Sequence, residues 1–316
     1  RGGGAPPKPL EQLVTSGPDG CAAVAAAVAH DPRCRMVVED PVSRRGKGTE
    51  LLRFLAARGV RVRLVSSAAA GPAPGHGGSS QSTNEVLMVA PKAFASNEEA
   101  AADNHFMAEG AAGGESLREA VLAEHAALRA ELAGRAGVEV RLYGHGPETP
   151  DAVFPNNWFS THAAAGGTPS TLVLYPMKCH NRRLERREEI VSALRPNYER
   201  VVDLTPAERE DPPRYLEGTG SLVLDHERRV AYVAVSERSD EGLARRWAEE
   251  MGGWDVVAFV ATDGEGRPIY HTNVVMAVGS GAAVVCDEAV PDVAQREELL
   301  RRLGEGGREV VRITRA

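Results

Sequence analysis

The chain has 316 residues, of which 42% are hydrophobic, and its formal net charge is −7 at pH 7. A chain of this length can form one large domain or two ordinary ones with a buried core. The acidic balance argues against a nucleic-acid-binding protein, because phosphate contacts require a basic face. No apolar run approaches the roughly 18 residues of a membrane span, so no transmembrane helix is predicted.

The cysteines are few and widely spaced. They are Cys21, Cys34, Cys179 and Cys286, without CxxC or zinc-finger spacing. Such usage is typical of reduced thiols and predicts an intracellular protein, in the cytoplasm or in an organelle. The sequence contains no P-loop, no dinucleotide fingerprint and no HExxH, so we expect neither a cofactor nor a metal site.

The first 67 residues read as a small α/β fragment of unknown role. Hydrophobic patterns predict helices at 21–30 and 49–58, and strands at 34–38 and 60–66. Residues 68–83 are rich in Ala, Gly, Pro and Ser, which is typical of a linker. Residues 84–316 then form a separate domain in this prediction.

Strands and helices alternate throughout this second region. Strands are predicted at 86–89, 138–142, 171–175, 198–204, 221–225, 230–235, 256–260, 274–278, 282–286 and 309–313, and helices at 116–132, 183–194, 240–251 and 291–303. A strand–strand–helix–strand unit recurs about every 50 to 60 residues, which is typical of a propeller-like array.

Three segments place polar residues beside apolar strands. They are Pro150–Phe159, with two adjacent amides, Leu216-Glu217-Gly218-Thr219-Gly220-Ser221, and Tyr270-His271-Thr272-Asn273. As a set they resemble the guanidino-group-modifying (pentein) superfamily, nearest to its citrulline-utilisation hydrolases. The resemblance covers residues 84–316 and implies an α/β-propeller of ββαβ repeats. About four of the five repeats fit in this stretch, after the α/β fragment.

The resemblance implies a catalytic pair. His271 would be the general acid and base, and Glu217 would orient it and bind the nitrogens of the substrate. Two plainer interpretations stay open from the residues alone. His271 could bond a backbone carbonyl at a strand entry, and Glu217 could be a solvated turn carboxylate.

Asp151, Asn156 and Asn157 are the predicted contacts to the head of the substrate. Arginine-using relatives carry acidic residues here, because a guanidinium favours a close carboxylate. An amide is neutral and offers both a donor and an acceptor, which suits the ureido head of citrulline. The alternative is a turn that only caps a strand.

Arg182, Arg183 and Arg238 are candidate clamps for the α-carboxylate of an amino acid. The segments Asn181-Arg182-Arg183-Leu184-Glu185 and Ser236-Glu237-Arg238-Ser239 resemble arginine-bearing segments of dimethylarginine hydrolases. The planar fork of arginine binds carboxylates in bidentate fashion. Arg182 and Arg183 also fit a charged helix start.

The stretch after residue 90 resembles the opening signature of the citrulline-hydrolase branch through Phe94, Asn97, Asn104 and Phe106. It departs at Ala90 and Met107, where Arg and Gln are usual. Asn97 is a candidate substrate contact, and a turn role fits it equally. Residues 108–114 are predicted to be a loop insertion.

The nucleophile expected from the resemblance is a cysteine beyond Ala316, so this stretch alone is expected to be inactive. Cys286 precedes Asp287 and Glu288, which would raise its pKa and oppose thiolate formation. Cys179 adjoins His180, but catalytic partners usually converge from distant segments. Both cysteines are therefore predicted to be structural.

The sequence thus predicts a hydrolase that cleaves a C–N bond of a ureido or guanidino amino acid through a covalent cysteine intermediate. Citrulline is the favoured substrate. The alternatives are an amidinotransferase or dimethylarginine hydrolase with a guanidino substrate, and a truncated, non-catalytic amino-acid-binding homologue. The expected partner is a small amino acid rather than a nucleic acid or a membrane, and a homo-oligomer is left open.

Overall fold

The computed structural model describes residues 37–38, 63–64, 81–101, 115–144 and 148–315. The chain divides into two compact units, Arg1–Gly71 and Pro72–Ala316. In the first unit, strands β1 (Val37–Val38) and β2 (Arg63–Leu64) pair in parallel. Outside the described residues lie Cys21, Cys34, Asn104, Phe106, the predicted helices at 21–30 and 49–58, and the predicted loop at 108–114.

The second unit carries eleven further strands within the described residues. They are β3 (Glu85–Val89), β4 (Glu139–Tyr143), β5 (Phe159–His162), β6 (Thr171–Leu174), β7 (Arg200–Asp203), β8 (Val223–Asp225), β9 (Val230–Ala234), β10 (Asp255–Phe259), β11 (Met276–Val278), β12 (Ala282–Val285) and β13 (Glu309–Arg312). The helices are α1 (Glu98–Ala101), α2 (Glu115–Gly134), α3 (His180–Arg183), α4 (Glu188–Leu194), α5 (Gly218–Ser221), α6 (Glu241–Glu250) and α7 (Val293–Gly304).

Three of the sheets repeat one topology. In β5–β6–β7, β8–β9–β10 and β11–β12–β13, the first pair is antiparallel and the second is parallel. The parallel pair β3–β4 forms a sheet of two strands. The predicted strand–strand–helix–strand unit is therefore present in a mixed α/β fold, while the number of repeats in a complete propeller stays a prediction.

A short helical turn precedes the first strand of each three-stranded sheet. The turns are Pro155–Asn157, Gly218–Ser221 and Thr272–Val274. Each turn lies in or next to one of the three polar segments recognised in the sequence. The repeat topology therefore brings these segments to equivalent places in successive repeats.

The longer helices form for local reasons that the sequence displays. Asp240 caps α6, and its carboxylate accepts a hydrogen bond from the Leu243 N–H at 2.7 Å. Asp292 caps α7 in the same way. Helix α6 then buries Leu243 and Trp247, four residues apart, against the core.

Some predicted elements differ in the structure. The helix predicted at 183–194 is two helices: α3 ends at Arg183 and α4 begins at Glu188, and in the segment between them Arg186 donates to the distant carboxylate of Glu208. The strand predicted at 221–225 begins only at Val223, because the preceding residues form α5. Strand β5 had no predicted counterpart.

A buried histidine makes the stability of this unit depend on pH. His162 shares a hydrogen bond of 2.8 Å with the Ser160 hydroxyl, and its ring lies 5.8 Å from that of His226. Burial, with a smaller effect from His226, lowers the pKa of His162 to about 3. The folded state therefore keeps this imidazole neutral where the unfolded chain binds a proton.

We expect the free energy of unfolding to fall as pH drops below about 6.5, the pKa of an unfolded histidine. Each fully titrating histidine contributes a slope of about 1.4 kcal/mol per pH unit. Urea unfolding of the wild type and of His162→Phe between about pH 7 and 4.5 measures this slope. The variant should lose stability less steeply, and parallel curves would contradict the assignment to His162.

Candidate active site

A cavity of about 370 Å³ is lined in part by the first and third of the three polar segments, and the second packs behind them. Its walls come from the stretch before α1, the first turn of α2, and the segments around residues 154, 182, 238 and 271. The lining residues are Phe94, Ala95, Ser96, Ala100, Leu117, Asp151, Phe154, Asn156, Asn157, Arg182, Arg238, Tyr270, His271 and Asn273. This volume is within the range of small-molecule sites.

Glu217 and His271 form a buried pair at this cavity. His271 Nε2 lies 2.8 Å from Glu217 Oε2, and the carboxylate side chain is 0% exposed. The other carboxylate oxygen accepts a hydrogen bond from the Lys178 N–H at 3.0 Å. Glu217 itself is not part of the cavity lining, so it acts on the cavity through His271.

The charges around this pair keep the carboxylate ionised. Burial alone would raise the pKa of Glu217, but His271, Arg238 and Arg182 together lower it to about 2. Burial lowers the pKa of His271 from its ordinary value, and the pull of Glu217 only partly offsets this. At neutral pH the pair is therefore a carboxylate beside a neutral imidazole, whose Nε2–H donates to Glu217.

The glycines of the Glu217 segment allow three segments of the polypeptide to approach closely. Gly218 adopts a positive φ of 46°, and a Cβ there would run into the backbone carbonyls of Asn156 and Asn157. A Cβ on Gly220 would lie 2.5 Å from Asn157 Nδ2 and 2.7 Å from His271 Nδ1. The Glu-Gly-Thr-Gly sequence thus serves to pack the site.

Arg182 and Asn157 are joined inside the wall of the cavity. Arg182 Nη1 donates to Asn157 Oδ1 at 3.0 Å, and Asn157 Nδ2 donates to the Glu217 carbonyl oxygen at 3.3 Å. Both ends of the buried Asn157 amide are therefore bonded to the protein. The Asn156 side chain is exposed at the cavity and has no hydrogen-bond partner among the described residues.

Arg238 lies on the other side of the pair. Its Nη2 donates to the Ala100 carbonyl oxygen at 3.0 Å, and its Nη1 is 3.6 Å from Glu217 Oε2. The guanidinium carbon lies 5.1 Å from the centre of the Tyr270 ring, a distance that suits a cation–π contact. Arg238 is thus a buried cation in the cavity lining.

Asp151 supplies a carboxylate to the cavity lining. Its Oδ2 accepts a hydrogen bond from Asn97 Nδ2 at 2.7 Å and lies 3.9 Å from Arg182 Nε. Asn97 is buried, and its Oδ1 accepts from Asn181 Nδ2 at 2.7 Å. The structure therefore places Asn97 behind Asp151 rather than at the cavity.

The structure does not bring Arg183 to the cavity. Its guanidinium donates to the carbonyl oxygens of Met177 and Lys178 and lies 3.5 Å from Glu208. Cys179 and Cys286 are likewise absent from the cavity lining. Cys179 is buried and Cys286 is half-buried.

Sequence reasoning missed several residues that the structure places at the site. Glu185 holds Arg182 through two hydrogen bonds, although the sequence analysis of the segment 181–185 singled out only its arginines. Tyr270 stacks near both His271 and Arg238. The one sequence feature that indicates a role for Tyr270 is its position directly before His271.

Similarity to solved structures defines the fold. ArgZ without ligand, an arginine dihydrolase from the ornithine–ammonia cycle in cyanobacteria, is 20% identical with a TM-score of 0.56, covering 72% of this chain and 31% of that one. The substrate-bound N-terminal domain of ArgZ is 18% identical with a TM-score of 0.53, covering 72% of this chain and 75% of that one. AgrE with ornithine and NAD+ is 18% identical with a TM-score of 0.54, covering 73% and 31%.

The family match to residues 90–316, together with the fold, places the protein in the pentein superfamily of guanidino-group-modifying enzymes, as the sequence motifs predicted. More particularly, the sequence model described as "N,N dimethylarginine dimethylhydrolase, eukaryotic" matches residues 90–316, and the chain belongs to that family. Members of the family are hydrolases of C–N bonds. A comparison with curated proteins returns no match. The chain spans about a third of the length of ArgZ.

Two further properties concern the part of the chain that the structure describes. Within it, no helix has the length and apolar character to cross a membrane. The same residues contain no group of three or more His, Cys, Asp or Glu side chains that could hold a metal ion.

The close approach at Gly220 gives a direct test of the site geometry. Gly220→Ala should push His271 and Asn157 apart, with a loss of about 1–3 kcal/mol in the free energy of unfolding. Gly264→Ala is the matched control, because a Cβ at Gly264 meets no atom within 4 Å. Urea unfolding of both variants measures the difference, and equal stabilities would contradict the described packing.

Proposed function

We propose that this chain forms the amino-acid-binding and acid–base part of a thiol hydrolase that cleaves a C–N bond in the planar head of a ureido or guanidino amino acid. The single observation that supports this most is the buried His271–Glu217 pair beside a cavity that also contains Arg238. A proton-transfer group and a carboxylate-binding cation in one cavity suit a zwitterionic substrate.

The reaction has two steps. A cysteine thiol attacks the carbon of the head group, and the C–N bond to the leaving amine breaks. The Nδ1 atom of His271 takes the thiol proton and delivers it to that amine, since Nε2 is bonded to Glu217. Water then hydrolyses the thioester-like intermediate and restores the thiol. With citrulline, ornithine is the first product.

The nucleophile in this proposal is a cysteine outside residues 81–315. Cys179 and Cys286 do not line the cavity, and a covalent mechanism needs a sulfur within reach of the substrate. The cysteine expected beyond Ala316 stays a prediction. Turnover in this proposal requires such a cysteine, and amino-acid binding is the property proposed for the described residues themselves.

Citrulline is our preferred substrate. The head-group end of the cavity carries the neutral amide of Asn156, which can donate to a ureido oxygen and accept from a ureido nitrogen. A guanidino substrate is the second candidate, favoured by the Asp151 carboxylate in the same lining. The name of ArgZ, an arginine dihydrolase, points in the same direction.

The role of Arg238 can be tested by ligand binding. We expect the chain to bind citrulline more tightly than the same ureido compound without its α-carboxylate. Arg238→Met should remove about tenfold or more of that preference, the size of a lost charge-assisted hydrogen bond. Titration calorimetry measures the four affinities. If the variant keeps the full preference for the carboxylate, Arg238 is not the clamp.

The choice of head group can be tested at Asn156, since the amide of Asn157 is already bonded at both ends. Asn156→Asp should raise the affinity for arginine about tenfold relative to citrulline, because a carboxylate then faces the guanidinium. Asn84→Asp, which adds the same charge at an exposed position off the cavity, is the control. An unchanged ratio in calorimetry would exclude charge matching at this position, and no binding of either amino acid would exclude the proposed site.

A further inference from the structure

Glu185 is a fully buried carboxylate that the proposed reaction does not use. Its side chain is 0% exposed and holds Arg182 in bidentate fashion. Arg182 Nε donates to Oε1 at 2.9 Å, and Nη2 donates to Oε2 at 3.1 Å. A buried bidentate pair of this kind fixes the plane of the guanidinium.

Arg182 in turn reaches Glu217 by two routes. One is the charge itself, since Arg182 Nη1 lies 4.0 Å from Glu217 Oε2. The other is Asn157, whose amide accepts from Arg182 and donates to the Glu217 backbone. A rotation of the Arg182 guanidinium would therefore change the electrostatic potential at the Glu217 carboxylate. It would also shift the Glu217 backbone through Asn157.

The donors of Arg182 are mostly used within the protein. In addition to the bonds to Glu185 and Asn157, Nη2 donates to the Phe154 carbonyl oxygen at 3.3 Å. These contacts occupy four of the roughly five N–H groups of a guanidinium. Arg182 thus mainly connects parts of the protein to one another, and it is not the clamp for a substrate carboxylate that the sequence predicts.

We propose that Glu185 is a positioning residue that fixes Arg182, and through Arg182 and Asn157 holds the Glu217 carboxylate in the orientation that His271 requires. The catalytic meaning of this arrangement rests on the proposed function. The coupling itself is a property of the folded chain and can be measured without turnover.

The charges that face Glu185 come from three segments. They are Arg182 on its own segment, Asp151 before the 155–157 turn, and Glu217 before α5. Burial raises the pKa of Glu185 above its ordinary value, and the bidentate contact with Arg182 opposes this rise and favours the ionised carboxylate. When the negative charge of Glu185 is removed, the positive charge of Arg182 acts unbalanced on the Glu217–His271 pair and disfavours protonated His271.

The experiment is an NMR titration of His271 in the chain of residues 1–316, with its ring signal assigned through its loss in His271→Ala. In Glu185→Gln we expect the titration midpoint to move to lower pH than in the wild type. Glu208→Gln is the matched control, because Glu208 is a buried carboxylate with a bidentate bond to Arg186 but no bond to Asn157. It should lower the unfolding temperature without moving the midpoint.

An unchanged midpoint in Glu185→Gln, or an equal shift in both variants, would overturn the proposal. Glu185→Asp, which keeps the charge, should restore the wild-type midpoint and serves if the glutamine variant does not fold. Where His271 titrates below the pH of unfolding, the nitrogen shifts of its ring at about pH 8 report the tautomer. The proton should stay on Nε2 in the wild type and in Glu208→Gln, and be shared between both nitrogens in Glu185→Gln.

Amino-acid binding is measured on the same wild-type sample. If no ureido or guanidino amino acid binds while the His271 shift is found, the proposed function fails and the positioning role stands. If an amino acid binds and the His271 shift is absent, the positioning role of Glu185 fails and the proposed function stands.

Discussion

The ionised carboxylate of Glu217 is the constraint around which this site is built. A buried carboxylate is costly unless partners from the protein replace its water. Here His271, the Lys178 amide and two arginines at 3.6 and 4.0 Å supply them. These groups belong to different parts of the second unit. The charge is therefore stabilised only when those parts have come together.

The repeat topology brings the segments that carry these groups together without a special connection for each. Each three-stranded sheet begins just after a short helical turn, and the three turns lie next to Asn157, Glu217 and His271. The same local arrangement, used three times, brings three polar groups together, of which Asn157 and His271 line the cavity and Glu217 lies behind His271. The close approach of these segments restricts which residues the backbone can carry. Where the turns touch, only glycine fits, as the approach of Gly220 to the side chains of Asn157 and His271 shows.

The sequence predicts the elements whose causes are local. Capping aspartates and apolar periodicity indicate α6 and α7, and buried apolar runs indicate β9 and β12. The helix expected at 183–194 is interrupted at residues 184–187, where Arg186 bonds to Glu208, a partner 22 residues away that only the tertiary structure brings near. The motifs likewise single out His271 and Glu217. They do not reveal that Arg182 is tied to Asn157, since that bond joins residues 25 positions apart.

In the proposed function, the balance of charge leaves the choice of substrate to Asp151 and Asn156 rather than to Glu217. Glu217 is compensated from behind by Arg182 and Arg238, so little of its charge is left to attract a cation. Asp151, whose carboxylate lies 3.9 Å from Arg182 and accepts from Asn97, is also partly compensated. A guanidinium entering this cavity therefore meets less negative charge than the number of acidic residues suggests. A neutral head with donors and acceptors loses little by comparison, and in the proposed function the exposed amide of Asn156 distinguishes the two.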